Sequence, residues 1–135
     1  MSLNVKVIAP DNTVWDAPAA EVVLPSTTGQ VGILPAHAPL LTALDAGVMR
    51  VREGSEWTAI ALMGGFAEIE NDEVVVLVNG AERGSEIDRT EAAAAFAEAE
   101  KAVSALSGQI SPEKLKADNA LKRARARLQA AGGAE

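Results

Sequence analysis

Few side chains in this sequence are equipped for chemistry. The only histidine, His37, lies between Pro35 and Pro39, and there is no cysteine. One imidazole leaves no material for a histidine-based metal site or a Ser-His-Asp triad, and the lack of thiols removes disulfides, zinc fingers and thiolate nucleophiles together. His37 is either a titrating switch or, as is commoner for a lone loop histidine, a packing and hydrogen-bonding residue. Gly29-Gln30-Val31-Gly32 has two glycines without the spacing of either phosphate-binding fingerprint, so a tight turn or bulge is its first reading. Glu68 and Glu70 alternate as on a solvated strand edge and make no persuasive acid–base pair. These residues argue against an enzyme and supply no catalytic, cofactor or metal site. A cationic run remains. From Lys114 to Arg127 there are six basic side chains against Asp118 alone. On a helix, Lys116, Arg123 and Arg127 share a face, and Lys114, Lys122 and Arg125 broaden it. Such a face is either solvated, with its charges favouring the C-terminal end of the helix dipole, or a docking arm for an acidic protein surface.

The elements that carry these residues divide into two kinds. With 135 residues, 48% hydrophobic and 23% charged, the chain fits one domain, or one compact domain with an appendage, and not wholesale disorder. No apolar run approaches the roughly 18–20 residues of a membrane-spanning helix, and Met1-Ser2-Leu3-Asn4-Val5-Lys6 lacks the layout of a signal peptide. The net charge of -7 disfavours nucleic acid as a partner, yet it is unevenly spread. Residues 1–86 hold 4 basic and 12 acidic side chains, whereas residues 87–135 hold 8 basic and 7 acidic ones. That asymmetry suggests two segments with different tasks.

Residues 1–86 read as strands. Leu3, Val5 and Val7 alternate with Asn4 and Lys6, and further β-rich runs cover 21–24, 31–34, 48–52, 57–62 and 74–78. Turn formers separate them at 10–12, 25–29, 53–55 and 71–72. Short strands at this spacing predict an antiparallel sandwich or flattened barrel, with no helix between them for parallel crossovers. From Ile87 the period changes to that of a helix. Asp88 and Glu91 make a capping-box-like pair ahead of an apolar stripe at Ala92, Ala95, Phe96, Ala99, Ala102, Val103 and Leu106. Gly108 ends this helix, and Ser111 with Pro112 starts another, with Ile110 and Leu115 at the positions of a hydrophobic staple. Its stripe is Ala117, Ala120, Leu121, Ala124, Leu128 and Ala131. The whole is mainly β plus α: a β-domain over 1–86, then an αα-hairpin over 87–135. Alanine gives strong helix propensity and little area to bury, so the hairpin is expected to dock weakly and to detach easily as a unit.

The run Gly29-Gln30-Val31-Gly32-Ile33-Leu34-Pro35-Ala36-His37-Ala38-Pro39-Leu40-Leu41 resembles the signature of the epsilon subunit of F-type ATP synthases. Ala61-Leu62-Met63-Gly64-Gly65-Phe66-Ala67-Glu68-Ile69, followed by Val74 to Val78, is similar to the same family. Val7-Ile8-Ala9-Pro10-Asp11 with Val14-Trp15 resembles its cyanobacterial and chloroplast branch. The resemblance implies an antiparallel β-sandwich of about ten strands followed by a helix-turn-helix. It implies a non-catalytic rotor subunit of the central stalk, with the gamma subunit, the c-ring and a beta subunit as partners. Such a subunit couples c-ring rotation to the catalytic head in proton-driven synthesis, and its helical arm, when extended, restrains ATP hydrolysis. By the same resemblance Thr28, Gly29, Gln30 and His37 face the c-ring and gamma, while Lys122, Arg123, Arg125 and Arg127 face beta. No cofactor is implied, and the membrane association is peripheral, at the stromal or cytoplasmic side of a thylakoid or, alternatively, a bacterial inner membrane. Some family members hold ATP between the helices with an Ile/Leu-Asp-x-x-Arg-Ala motif. Here Ile87-Asp88-Arg89-Thr90-Glu91-Ala92 carries Glu91 in place of that arginine, and a carboxylate repels a polyphosphate. An ATP-sensing arm is therefore the alternative function, and a free-standing adaptor β-domain a third.

Overall fold

The computed structural model describes residues 2–132; Met1 and the last three residues of the expected arm, 133–135, lie outside them. Eight strands are laid out as β1 (Leu3–Ile8), β2 (Thr13–Ala19), β3 (Glu21–Ser26), β4 (Gly29–Ile33), β5 (Leu40–Glu53), β6 (Glu56–Glu70), β7 (Glu73–Val78) and β8 (Ala81–Arg83). A 3-10 turn at Gly84–Glu86 leads into α1 (Arg89–Ala105) and α2 (Pro112–Ala131). The hydrogen-bonded order is β2-β1-β7-β6-β5-β3-β4, with β8 also on β6.

The family resemblance implies about ten strands, and the difference from eight has a physical origin in β5 and β6. These strands run 14 and 15 residues and pair from Leu40↔Ile69 to Glu53↔Glu56, but the ladder breaks between Leu44↔Gly65 and Ala46↔Met63. At the break Gly64 and Gly65 adopt positive φ, and a side chain at Gly65 would overlap the Leu77 carbonyl oxygen. Beyond it β6 changes neighbours, from β8 at Ile60–Leu62 to β7 from Gly65 onward. Each long strand thus serves both layers of the sandwich. One layer is β4, β3, the second half of β5, the first half of β6, and β8; the other is β2, β1, β7 and the remaining halves. All pairings are antiparallel except β1 with β7, which is parallel and departs from the all-antiparallel expectation.

Alternation fills the core. Leu3, Val5 and Val7 are buried, as are Val22, Leu24, Met49, Val51, Ile60, Leu62, Val74 and Val76, while Asn4 and Lys6 face out. Glu68 and Glu70 are exposed, but β6 lies between β7 and β5, so they stand on the outer face of a central strand and not on an edge.

Both helices begin where their capping residues place them. Asp88 Oδ1 accepts from the Glu91 amide at 3.0 Å, and Ser111 Oγ accepts from the Lys114 amide at 3.1 Å. The staple does not close, because Ile110 and Leu115 are both exposed. The hairpin is layered: α1 packs on α2, and α2 lies across β5, β6 and the 3-10 turn. The expected stripe of α2 is only half-buried, whereas Ala126 and Ala130, on another face, are fully buried with Val48, Ala59, Ala61 and Ile87. In α1 only Ala92 is buried, and Ala95 and Ala102 of its expected stripe are exposed. Alanines on both sides let the α2 backbone approach the sheet closely, which larger side chains would prevent.

Candidate functional site

The residues singled out by sequence fall in three places. Thr28, Gly29 and Gln30 form the β3–β4 turn and the start of edge strand β4. Ser26, the buried polar residue beneath the turn, has its hydroxyl 2.9 Å from Thr42 Oγ1 and 3.2 Å from Thr28 Oγ1. The Thr27 amide donates to the Ala43 carbonyl at 3.1 Å, so the turn is fastened to β5. Gly29 has φ +124°, a conformation that a β-carbon strains, as its place in the turn predicts. Gln30 is exposed and borders an open cleft of about 580 Å³ between sandwich and arm, shared with Arg89 and Gln129.

His37 is on a separate loop. Its Nδ1 lies 2.6 Å from the Ala38 carbonyl oxygen, and the preceding residue, Ala36, donates its amide to Asp72 Oδ1 at 2.6 Å. The tight β6–β7 turn, with Asn71 and Asp72 at positive φ, therefore holds the His37 loop. Among the described residues no hydrogen bond links His37 to the Thr28 turn.

The cationic residues of α2 diverge. Arg127 donates Nε and Nη2 to the two oxygens of Glu82 at 2.8 and 3.3 Å, and Lys122 Nζ is 3.5 Å from Asp45 Oδ2. Both acidic partners belong to the sandwich. The Arg125 guanidinium lies 5.9 Å from the centre of the Phe96 ring on α1. Arg123 is exposed and makes no ion pair among the described residues. Together these contacts show a folded-down arm in which two of the four cations are already paired.

A fourth feature escaped the sequence reading. On the outer face of the β2-containing layer, register aligns Ala43, Phe66, Leu77 and Ile8 in one row, and Leu41, Glu68, Val75 and Lys6 in the next. Leu41, Phe66 and Leu77 are 70%, 59% and 52% exposed. An apolar hollow of about 560 Å³ opens between Ile8, Pro10, Ala43, Phe66 and Leu77. Its one sequence signal is β7, where Val74 to Val78 are all apolar and exceed what a strand with a wetted outer face needs. Exposed apolar side chains scattered singly are ordinary, whereas Leu41, Phe66 and Leu77 are neighbours across adjacent strands.

Comparison with known proteins adds family to geometry. The model of the ATP synthase delta/epsilon chain β-sandwich domain matches residues 2–84, and that of its long α-helix domain matches residues 85–132. The ATP synthase epsilon chain of Synechococcus elongatus is 65% identical over 133 residues, 98% of this chain and 97% of that one. The epsilon chain of Thermosynechococcus vestitus is 66% identical over 134 residues, again 98% and 97%. The chain belongs to the ATP synthase epsilon-chain family. The epsilon-chain fold is found again in solved structures. A chain in the Euglena gracilis mitochondrial ATP synthase OSCP/F1/c-ring structure aligns over 96% of this chain and 81% of its own, with a TM-score of 0.81 at 22% identity. One from the central stalk and c-ring of the Tetrahymena thermophila mitochondrial ATP synthase covers 96% of each chain, with a TM-score of 0.64 at 17% identity. Asp88 serves as the N-cap of α1, and Glu91, whose amide it caps, is exposed. No helix among the described residues is long and apolar enough to cross a membrane.

Proposed function

We propose that this chain is a non-catalytic rotor subunit of the ATP synthase central stalk, and that the bare Leu41-Phe66-Leu77 face is where the gamma subunit docks. The observation that carries this reading is the asymmetry of the sandwich. One outer face is occupied by the chain's own α2, while the other keeps three large apolar side chains open, more than 50% exposed each. Each is already partly buried, so covering what remains contributes roughly half of the 1.5–3 kcal/mol that full burial of such a side chain gives. The Thr28-Gly29-Gln30 turn and the His37 loop contact the polar loops of the c-ring, and the rigid mounting of both, on Thr42 and on Asp72, suits elements that must transmit torque. The cationic arm restrains hydrolysis by engaging an acidic surface of a beta subunit when it leaves the sandwich. Association with the membrane, of a thylakoid or of a bacterial cell, is peripheral and runs through the complex.

The test is binding to gamma. Phe66→Glu and Leu77→Glu replace outward side chains, so the sandwich keeps its circular dichroism spectrum and melting temperature. Affinity for gamma falls at least about tenfold for each, the range of a central interface anchor. Wild-type affinity in both variants would place the gamma interface elsewhere.

A further inference from the structure

We propose that Gly84 is the seat of α2, and that with Glu82 it forms a one-ended clamp whose opening is the step that releases the arm; the proposal deepens, and rests on, the regulatory part of the rotor reading. Gly84 is buried in the 3-10 turn between β8 and α1, and no left-handed backbone conformation calls for glycine there. The helix calls for it. A β-carbon at position 84 would overlap the carbonyl oxygen of Ala130 in the last turn of α2. The nearest sandwich atom, the Ala59 carbonyl oxygen, would stand 3.4 Å away, an ordinary contact, so glycine at 84 is demanded by the docked arm.

The remaining contacts gather at the same end. Ala126 and Ala130 are buried against Ala59 and Ala61 of β6 and Val48 of β5. Arg127, one residue after Ala126, reaches both oxygens of Glu82, two residues before Gly84. Nearer the hairpin tip the arm meets the sandwich through a longer pair, Lys122 to Asp45 at 3.5 Å. Short-range steric fit therefore holds the C-terminal turns of α2, and ion pairs supplement it. The clamp also decides which cations are available. Arg127 and Lys122 reach an external acidic surface only by giving up Glu82 and Asp45, whereas Arg123 is exposed from the outset. Release and engagement are one exchange of carboxylate partners, with Arg123 making first contact.

The two components differ in their response to salt. Ion pairs between partly exposed groups are screened, and a backbone overlap is not. Amide hydrogen exchange of the isolated full-length chain reads both. The α2 amides of residues 112–131 report opening, and peptides from β1, β3 and β7 report the integrity of the sandwich. Tryptophan emission gives a second readout, since Trp57 shares a cleft with Gly84 and Ala130 whereas Trp15 is buried in the sandwich core. Gly84→Ala should raise α2 exchange roughly five- to hundredfold at low and high salt alike, the range of an overpacked contact. Glu82→Gln, a surface change that does not threaten folding, should raise it about 1.4- to fivefold at low salt and hardly at all at high salt. In both variants sandwich peptides should keep wild-type protection, and Trp57 emission should shift with α2 opening. Wild-type exchange of α2 in Gly84→Ala would overturn the seat, and equal acceleration of sandwich peptides would show that Gly84 serves the sandwich instead. A salt-independent effect of Glu82→Gln would remove the ionic half of the clamp. None of these results depends on gamma, so failure of the clamp is distinguishable from failure of the rotor reading, which gamma binding by the wild-type chain tests separately.

Discussion

The hydroxyl of Ser26 lies 2.9 Å from that of Thr42, and through this contact the β3–β4 turn is fixed to the first half of β5. Thr28 is held to the same Ser26 oxygen through both its hydroxyl and its amide, at 3.2 and 3.3 Å. A rigid turn of this kind transmits force only if its backbone conformation is preserved. Gly29, at φ +124°, has open space for a side chain but a backbone that disfavours one. Gly29→Val is expected to lower stability by about 1 kcal/mol or more in urea unfolding. In reconstituted vesicles it should weaken the coupling of proton flow to synthesis while hydrolysis by the soluble head is unchanged. Altered soluble-head hydrolysis with intact coupling would assign the turn to another partner.

The divergence of the α2 cations changes what a double arginine substitution measures. Arg127 is paired with Glu82 when the arm is down, so removing it weakens the docked state together with any external contact. Arg123 is exposed in the docked arm and isolates the external contact. Arg123→Ala should preserve helicity, since alanine is the better helix former, and should relieve restraint of hydrolysis. One exposed pair contributes about 0.2–1 kcal/mol, so the relief is roughly 1.4- to fivefold at low salt and shrinks as ionic strength rises. Hydrolysis by the reconstituted head across a salt series measures it, and an unchanged rate at low salt would leave Arg123 a solvated side chain.

The sandwich holds its own core, built without any residue beyond Ala81. A fragment of residues 1–86 is therefore expected to fold and to bind gamma, at the cost of exposing Val48, Ala59 and Ala61 where α2 now covers them. Circular dichroism and dispersed amide resonances test it; an unfolded fragment would make the hairpin part of the folding unit.

Local signals carried most of this architecture in the sequence. Alternation at Leu3, Val5 and Val7 and the caps Asp88, Ser111 and Pro112 each act within a few residues, and they set β1 and the starts of both helices. Thr13–Ala19 was not legible as a strand, because Asp16 and Pro18 interrupt its pattern; the structure makes it an edge strand, where proline is tolerated. The extension of β5 and β6 through 40–47 and 63–70 is not legible because Gly64-Gly65 reads as the end of a strand, whereas here it bends a ladder that stays paired on both sides. Ala126 and Ala130 lie off the stripe that a single packing neighbour selects, and α2 has two neighbours. The Leu41-Phe66-Leu77 face depends on cross-strand register, and the Glu82–Arg127 pair spans 45 positions, so neither is visible to a local pattern.

The most direct test of a rotor subunit with a regulatory arm is ATP hydrolysis by a gamma-containing catalytic head, titrated with the full-length chain and, in parallel, with the 1–86 fragment, while binding to gamma is monitored. Both should bind gamma through the same bare face, and only the full-length chain should lower the rate of hydrolysis. Equal rates with the full-length chain and the fragment, both bound at saturation, would contradict the account.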